Sequence, residues 1–240
     1  MEQIEEIYNS SRCTYGAPRV HAKLAERGIG CGKKRVARLM RKRRLVGVHS
    51  RKRWRRGKPG EAFAPDLVRR NFDPSGPDEL WAADVTQFQT AEGWLYMASV
   101  LDLWSRRVVG WSMGNSTNTE LVSDALVMAA RTRRPTSRVV HHSDRGSAYT
   151  SLVFSQRITE LELEQSLGRT GDCYDNAAVE SFFATLKREL EWIHRTKRWR
   201  TRLELRTALF DFIEGFYNPE RIQARLGYRS PLDFEKEIAS

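Results

Sequence analysis

Residues 80–112, LWAADVTQFQTAEGWLYMASVLDLWSRRVVGWS, hold three apolar runs rich in aromatic and β-branched residues, at 80–88, 94–102 and 107–112. Runs of that length, separated by short polar breaks, predict three strands close enough to pair as an antiparallel meander. Within the first run, alternation puts Leu80, Ala82, Asp84 and Thr86 on one face and Trp81, Ala83 and Val85 on the other. Asp84 is then a carboxylate among apolar neighbours, which is costly unless something satisfies it. A cation would make it a ligand, whereas an arginine or a backbone amide would make it structural; this stretch alone leaves both open.

The pattern continues outward from the meander. TELVSDALVMAARTR (119–133) reads as a helix capped by Asn118 or Thr117, with Leu121, Leu126 and Met128 among its apolar positions. A short strand in SRVVHH (137–142), a helix from about Ser151 to Glu160, a brief strand near 163–166 and a long helix from about Asn176 follow. Together these predict an α/β unit, a mixed five-stranded sheet with helices on its faces.

Two more acids stand out. Asp144 lies just past Val139 and Val140, in HHSDRGS, where Gly146 permits a tight turn. A carboxylate at a strand end can reach into a cleft, although an Asx-turn explains the same pattern. Glu180 sits in the first turns of the long helix, with Asp175 or Asn176 as cap and Val179, Phe182, Phe183, Leu186 and Leu190 as its buried stripe. Lys187 follows by seven residues, on nearly the same face and about 10 Å along the axis, a reach that suits a phosphate or base. Asp102, between Leu101 and Leu103, and Asp172 and Asp175, which flank Cys173 and Tyr174, compete as ligands. Magnesium prefers a few carboxylates completed by water and phosphate, and phosphoryl transfer on nucleic acid commonly uses two such ions.

Charge points to the same partner. The net charge is +11, yet residues 33–58 carry fourteen Lys and Arg and no acid, so the remainder is slightly acidic. Lys33, Lys34, Arg35, Arg38, Arg41, Lys42, Arg43, Arg44, Arg51, Lys52, Arg53, Arg55 and Arg56 form the footprint of a polyanion, with a solvated arm as the plainer alternative. Pro18 suits the first turn of a helix over Ala17 to Arg27, GIGCG a turn, and KKRVARLMRKRRL a second helix whose apolar positions include Val36, Leu39, Met40 and Leu45. Such a helix-turn-helix pattern can seat its second helix in the major groove. No apolar run approaches the ~20 residues of a membrane span, and MEQIEEIYNS has no signal-peptide pattern. Cys13, Cys31 and Cys173 are scattered and odd in number, which suits a reducing, cytoplasmic setting. Cys13, His21, Cys31 and His49 lack the paired spacing of a zinc site, and the neighbours His141 and His142 would face opposite sides of a strand.

The blocks WAADVT, LDLWSRRVVGW, HHSDRGSAYTS, GDCYDNAAVESFFATLKREL and FYNPERIQARLGYRSPLDFE occur in that order over residues 80–235, with 35 residues between Asp144 and Glu180. In this the chain resembles the DDE transposases of two-reading-frame bacterial insertion elements, whose catalytic core is like that of retroviral integrases. It departs from their pattern at Ala148 and Gln223, where such blocks often carry Gln and His. The resemblance implies a ribonuclease H-like fold, catalytic and metal-ligating roles for Asp84, Asp144 and Glu180, and magnesium or manganese, two ions, as cofactor. It also implies DNA as substrate, a homo-oligomer on DNA, and an additional product of an upstream reading frame as partner. The expected organisation is a helix-turn-helix-like DNA-binding region over 1–48, a basic linker with Pro and Gly over 49–79, the catalytic core over 80–195 and a helical extension of that core over 196–240. The rival readings are a metal-dependent nuclease of the same fold without strand transfer, and a catalytically silent DNA-binding protein.

Overall fold

The computed structural model describes residues 1–48, 74–168 and 177–239. In chain order its elements are α1 (Glu2–Ser10), α2 (Ala17–Glu26), α3 (Lys33–Lys42), β1 (Leu80–Thr90), β2 (Gly93–Asp102), β3 (Val108–Gly114), α4 (Thr119–Arg133), β4 (Val140–Ser143), α5 (Leu152–Glu160), β5 (Glu164–Leu167), α6 (Ala177–His194), α7 (Arg202–Phe212) and α8 (Pro231–Ala239). The described residues fall into two compact units: those of Met1–Arg53, Thr185–Lys197 and Leu209–Ser240, and those of Trp54–Ala184 and Arg198–Ala208.

The second unit holds the sheet, in the order β3-β2-β1-β4-β5. The expected meander forms, with β1 antiparallel to β2 and β2 to β3, whereas β4 runs parallel to both β1 and β5. Crossovers through α4 and α5 make the parallel pairs possible, because a strand can return in the same direction only over a helix. Asn118 caps α4 by accepting the Leu121 N–H at 3.1 Å, and Ser151 caps α5 by accepting that of Phe154 at 3.2 Å. Trp81, Ala83, Ala98, Val100 and Val109 from one face of the sheet bury against Leu121, Val122, Ala125, Leu126 and Ala129 of α4 and Phe154 and Ile158 of α5. Contact is closest at Gly110, where a Cβ would lie 2.2 Å from the Ala125 carbonyl oxygen and 2.6 Å from the Ala129 nitrogen. At the start of β1 the Trp81 indole donates to Asp78 at 3.0 Å, and Arg133 holds the same carboxylate at 2.7 and 3.0 Å.

The other unit is helical. Residues 2–10 carry no strand or helix expectation, yet they form α1 and bury Ile4, Ile7 and Tyr8, which share one helical face. Gly28, at φ +73°, stops α2, with its N–H on the Ala25 carbonyl and that of Ile29 on Leu24. That pair of bonds satisfies carbonyls the helix end would leave open, and only a residue at ease in the left-handed region supplies them cheaply. The turn expected at GIGCG therefore leads into α3, which buries Val36 and Met40.

Long-range polar contacts hold the C-terminal segment in this unit. Tyr15 donates its hydroxyl to the Glu220 carbonyl at 3.0 Å and accepts the Ile222 N–H at 2.8 Å, while Arg19 donates to the Ile222 carbonyl at 3.0 Å. Arg221 and Glu189, 5% and 3% exposed, form a two-pronged ion pair with both contacts at 2.7 Å. Thus the block YNPERIQARLGYRSP has a packing role in this structure. The stretch expected as 196–240 divides between the units, Arg198–Ala208 with the sheet and Leu209–Ser240 with the helices. Trp199 bridges to Thr90 at the β1–β2 hairpin, and the Arg202 N–H donates to Glu92 at 2.8 Å. Among the described residues, no helix is long and apolar enough to cross a membrane.

Candidate active site

Asp84 lies in β1 on the face expected for it, half-buried, directly opposite Ser99 of β2 in the antiparallel register. Opposed residues of such a pair project to the same side, so Ala82 with Leu101 and Thr86 with Met97 flank the carboxylate on that face. One carboxylate oxygen accepts the Val85 N–H at 2.7 Å. Asp144 is exposed and follows the last residue of β4. Its Oδ1 accepts the Gly146 N–H at 2.9 Å, which closes the tight turn anticipated there.

The parallel register brings these two acids together. Ala83 pairs with Ser143, so one step further along each strand stand Asp84 and Asp144, on neighbouring strands whose spacing is about 4.8 Å. Tyr149, on the turn that follows Asp144, lies within the electrostatic influence of both. Its phenol is pushed well above the ordinary tyrosine range, first by burial and then by the charges of Asp84 and Asp144.

Glu180 is the fourth residue of α6 and exposed; Lys187 is half-buried on the same helix. Among the described residues, no three His, Cys, Asp or Glu side chains lie close enough together to hold a metal ion. Asp84 and Asp144 are therefore juxtaposed, and Glu180 is not gathered with them into a three-ligand cluster. The proposed caps Asp175 and Asn176, and Asp172, fall outside the described residues.

Other acidic and imidazole groups near the sheet have structural partners. Asp102, fully buried, accepts from the Ser105 N–H at 2.7 Å, the Ser105 hydroxyl at 2.8 Å and the Asp78 N–H at 2.9 Å. Burial raises its pKa while those donors oppose the rise. His141 packs against Tyr149 and Phe154, with ring centroids at 6.1 and 5.4 Å, and burial followed by the neighbouring His142 pushes its pKa down to about 3. His142 Nδ1 lies 2.9 Å from the Ser166 hydroxyl.

Lys33, Lys34, Arg35 and Arg38 are exposed on α3, as are Arg41, Lys42, Arg43 and Arg44 at its C-terminal end. Arg43 lies 3.5 Å from Glu5. Arg51, Lys52, Arg53, Arg55 and Arg56 fall outside the described residues. One group beside Asp84 escapes the sequence reading, Ser99, which is identified only by the strand register.

Comparison with known proteins agrees with this architecture. Residues 1–53 match an HTH-like domain, 74–173 an integrase core domain and 180–238 a second integrase core domain family. A transposase for insertion sequence element IS904 of Lactococcus lactis is 35% identical over 98% of this chain and 92% of its own length. Transposase InsF for insertion sequence IS3A of Escherichia coli is 38% identical over 96% of this chain and 80% of its own. Among solved structures, a simian T-cell lymphotropic virus intasome in complex with a PP2A regulatory subunit is matched over 97% of this chain and 74% of that one, with a TM-score of 0.56 and 16% identity. The catalytic core of HTLV-2 integrase in complex with magnesium is matched over 66% of this chain and 97% of that one, with a TM-score of 0.50 and 16% identity. At such identities these two likenesses speak to the fold alone.

Proposed function

The chain belongs to the insertion-sequence transposases that carry an integrase core, and from that premise we propose that Asp84, Asp144 and Glu180 are its catalytic carboxylates and that the reaction depends on magnesium or manganese, two ions. The observation that carries this reading is the placement of Asp84 and Asp144 one register step beyond the Ala83–Ser143 pair. Two carboxylates on adjacent strands, one exposed and one half-buried, are hard oxygen donors and fit magnesium or manganese better than a soft metal. When bound, such ions neutralise charge that develops on the phosphoryl oxygens. In this reading Glu180, the fourth residue of α6, is the third donor and must approach the other two acids when the ions bind.

The reaction needs no covalent link to the protein. In the first step a water oxygen bonds to phosphorus, the P–O3′ bond breaks, and the departing 3′-oxygen takes a proton. In the second, that 3′-hydroxyl attacks a phosphodiester of the target, losing its proton as the target's own P–O3′ bond breaks. One phosphodiester replaces another, so no nucleotide triphosphate is consumed. Proximity and orientation dominate such an exchange, and the residues of this chain supply them. Asp84 is fixed by the rigid centre of a sheet, Asp144 by its turn, and Lys187 follows Glu180 on α6 to meet a phosphate or base.

In this reading the first 48 residues serve as the DNA-binding region, 49–79 as a basic linker and the residues from 80 onward as the catalytic core, with Arg198–Ala208 as its extension. Exposed Lys and Arg on α3, with those at 51–56, hold the backbone of the DNA. The protein works as a homo-oligomer on element ends, with an upstream reading-frame product as a further partner. The test is a joining assay on labelled end DNA of the parent element. Magnesium or manganese should yield joined product, and calcium should permit binding with little reaction, because its looser coordination positions the nucleophile poorly. Product of equal yield in calcium or in chelator, or hydrolysis without any joining, would overturn the proposal.

A further inference from the structure

We infer that Ser99 is a positioning residue of the carboxylate site, its hydroxyl donating to the Asp84 carboxylate as a cation binds there and so fixing the orientation of that acid. The inference rests on the reading of Asp84 and Asp144 as metal ligands.

Strand register sets the two side chains together. Asp84 of β1 pairs with Ser99 of β2 in the antiparallel ladder, so both project to one side of the sheet, with Cβ atoms about 4.5–5.5 Å apart. A hydroxyl and a carboxylate oxygen close such a gap through a change of rotamer alone. On that face Ser99 is bordered by Met97 and Leu101 along its own strand and by Trp111 across on β3. A leucine accepts no proton, a thioether accepts one weakly and an indole only donates. Among these four neighbours, Asp84 is the one that offers an oxygen.

The hydroxyl calls for such an acceptor. Ser99 is 0% exposed, and its Oγ has no hydrogen-bond partner. Alanine would fill this place in the strand with no buried polar atom to satisfy, and folded proteins leave few such groups unpaired without a reason in their chemistry. Asp84 already has one oxygen tied, accepting the Val85 N–H at 2.7 Å. A second donor from the facing strand fixes the plane of the carboxylate and leaves lone pairs for a cation. The register of β2 against β3 shifts between Val100 and Leu101, one residue beyond Ser99, and bulges of this kind re-aim side chains beside active sites. Groups behind the ligands of a metal site set ligand orientation, and their loss typically weakens metal affinity about 10- to 100-fold.

The test is Ser99→Ala in the full chain, with manganese affinity read from the paramagnetic resonance of the free ion in the absence of DNA, beside metal-free melting temperature and end-DNA binding. The expected result is a manganese affinity about 10-fold or more weaker, with the melting temperature no lower than wild type, DNA binding unchanged, and joining restored by raised manganese. Unchanged manganese affinity would overturn the role, and so would a lowered metal-free melting temperature, which would make the hydroxyl structural. The control is Asp144→Asn. If it abolishes manganese binding while Ser99→Ala does not alter it, the carboxylate reading stands and the inference fails; if Asp144→Asn leaves manganese binding intact, both fail.

Discussion

His141 shows how strongly single positions around this site depend on their neighbours. Buried beside Tyr149 and Phe154 and next to His142, its imidazole stays neutral, with its pKa lowered to about 3. In the unfolded chain a histidine titrates near 6.5, so between about pH 6.5 and 3 the unfolded state binds a proton that the folded state does not. Stability from this residue is therefore complete above the unfolded pKa and declines as pH falls through that window, by at most about 1.4 kcal/mol per pH unit. Denaturant unfolding of His141→Leu at a series of pH values should show a shallower decline than wild type; an equal decline would assign the acid sensitivity elsewhere. From sequence, His141 was legible as facing the opposite side of a strand from His142, but not as an imidazole held neutral. The same division runs through the site. The positions of Asp84 in β1 and Asp144 just past β4 were legible because each stands at a set place in or after an apolar run. Ser99 was not, because its place opposite Asp84 is set by the strand register and leaves no mark in its own sequence surroundings.

At the scale of elements, local signals account for most of what was legible. Alternation marked β1, β2 and β3, and Asn118 marked the start of α4, since caps and turns act within a few residues. What local signals cannot carry is long-range docking. Nothing in the spacing of Tyr15, Arg19 or Glu189 announces bonds to residues 220–222, and so the C-terminal stretch was expected with the core alone. Contact between β3 and α4 gives a sharp test of the observed packing. Gly110→Ala would drive a methyl group to 2.2 Å from the Ala125 carbonyl oxygen and 2.6 Å from a helix amide, so backbone must move. Overpacking of this kind costs about 1–3 kcal/mol and occasionally more. Chemical denaturation should place Gly110→Ala at or beyond the upper end of that range, and wild-type stability would mean that α4 lies farther from β3.

For the whole molecule, charge and chemistry are assigned to different places in the chain. Fourteen of its 41 Lys and Arg lie in residues 33–58, and those on α3 are exposed. Neutralising a phosphate releases counterions, and affinity falls with salt at a logarithmic slope of about 0.9 per contact. Replacing Lys34, Arg38, Arg41 and Lys42 by Gln should flatten the salt dependence of end-DNA binding by up to about 4 in slope, read by fluorescence anisotropy between about 50 and 200 mM salt. An unchanged slope would move the electrostatic contact off this helix. The proposed catalytic carboxylates should behave in the opposite way, because phosphate contacts that fix the DNA lie mostly away from them. Asp84→Asn, Asp144→Asn and Glu180→Gln, assayed side by side for end-DNA affinity and for cleaved and joined products in magnesium, measure this most directly. Each should bind DNA within a few-fold of wild type and lose product by more than about 100-fold, the upper range seen when even supporting groups of a metal site are removed. Wild-type joining by any one of the three would contradict its place in the triad, and joining by Asp84→Asn or Asp144→Asn would contradict the site itself.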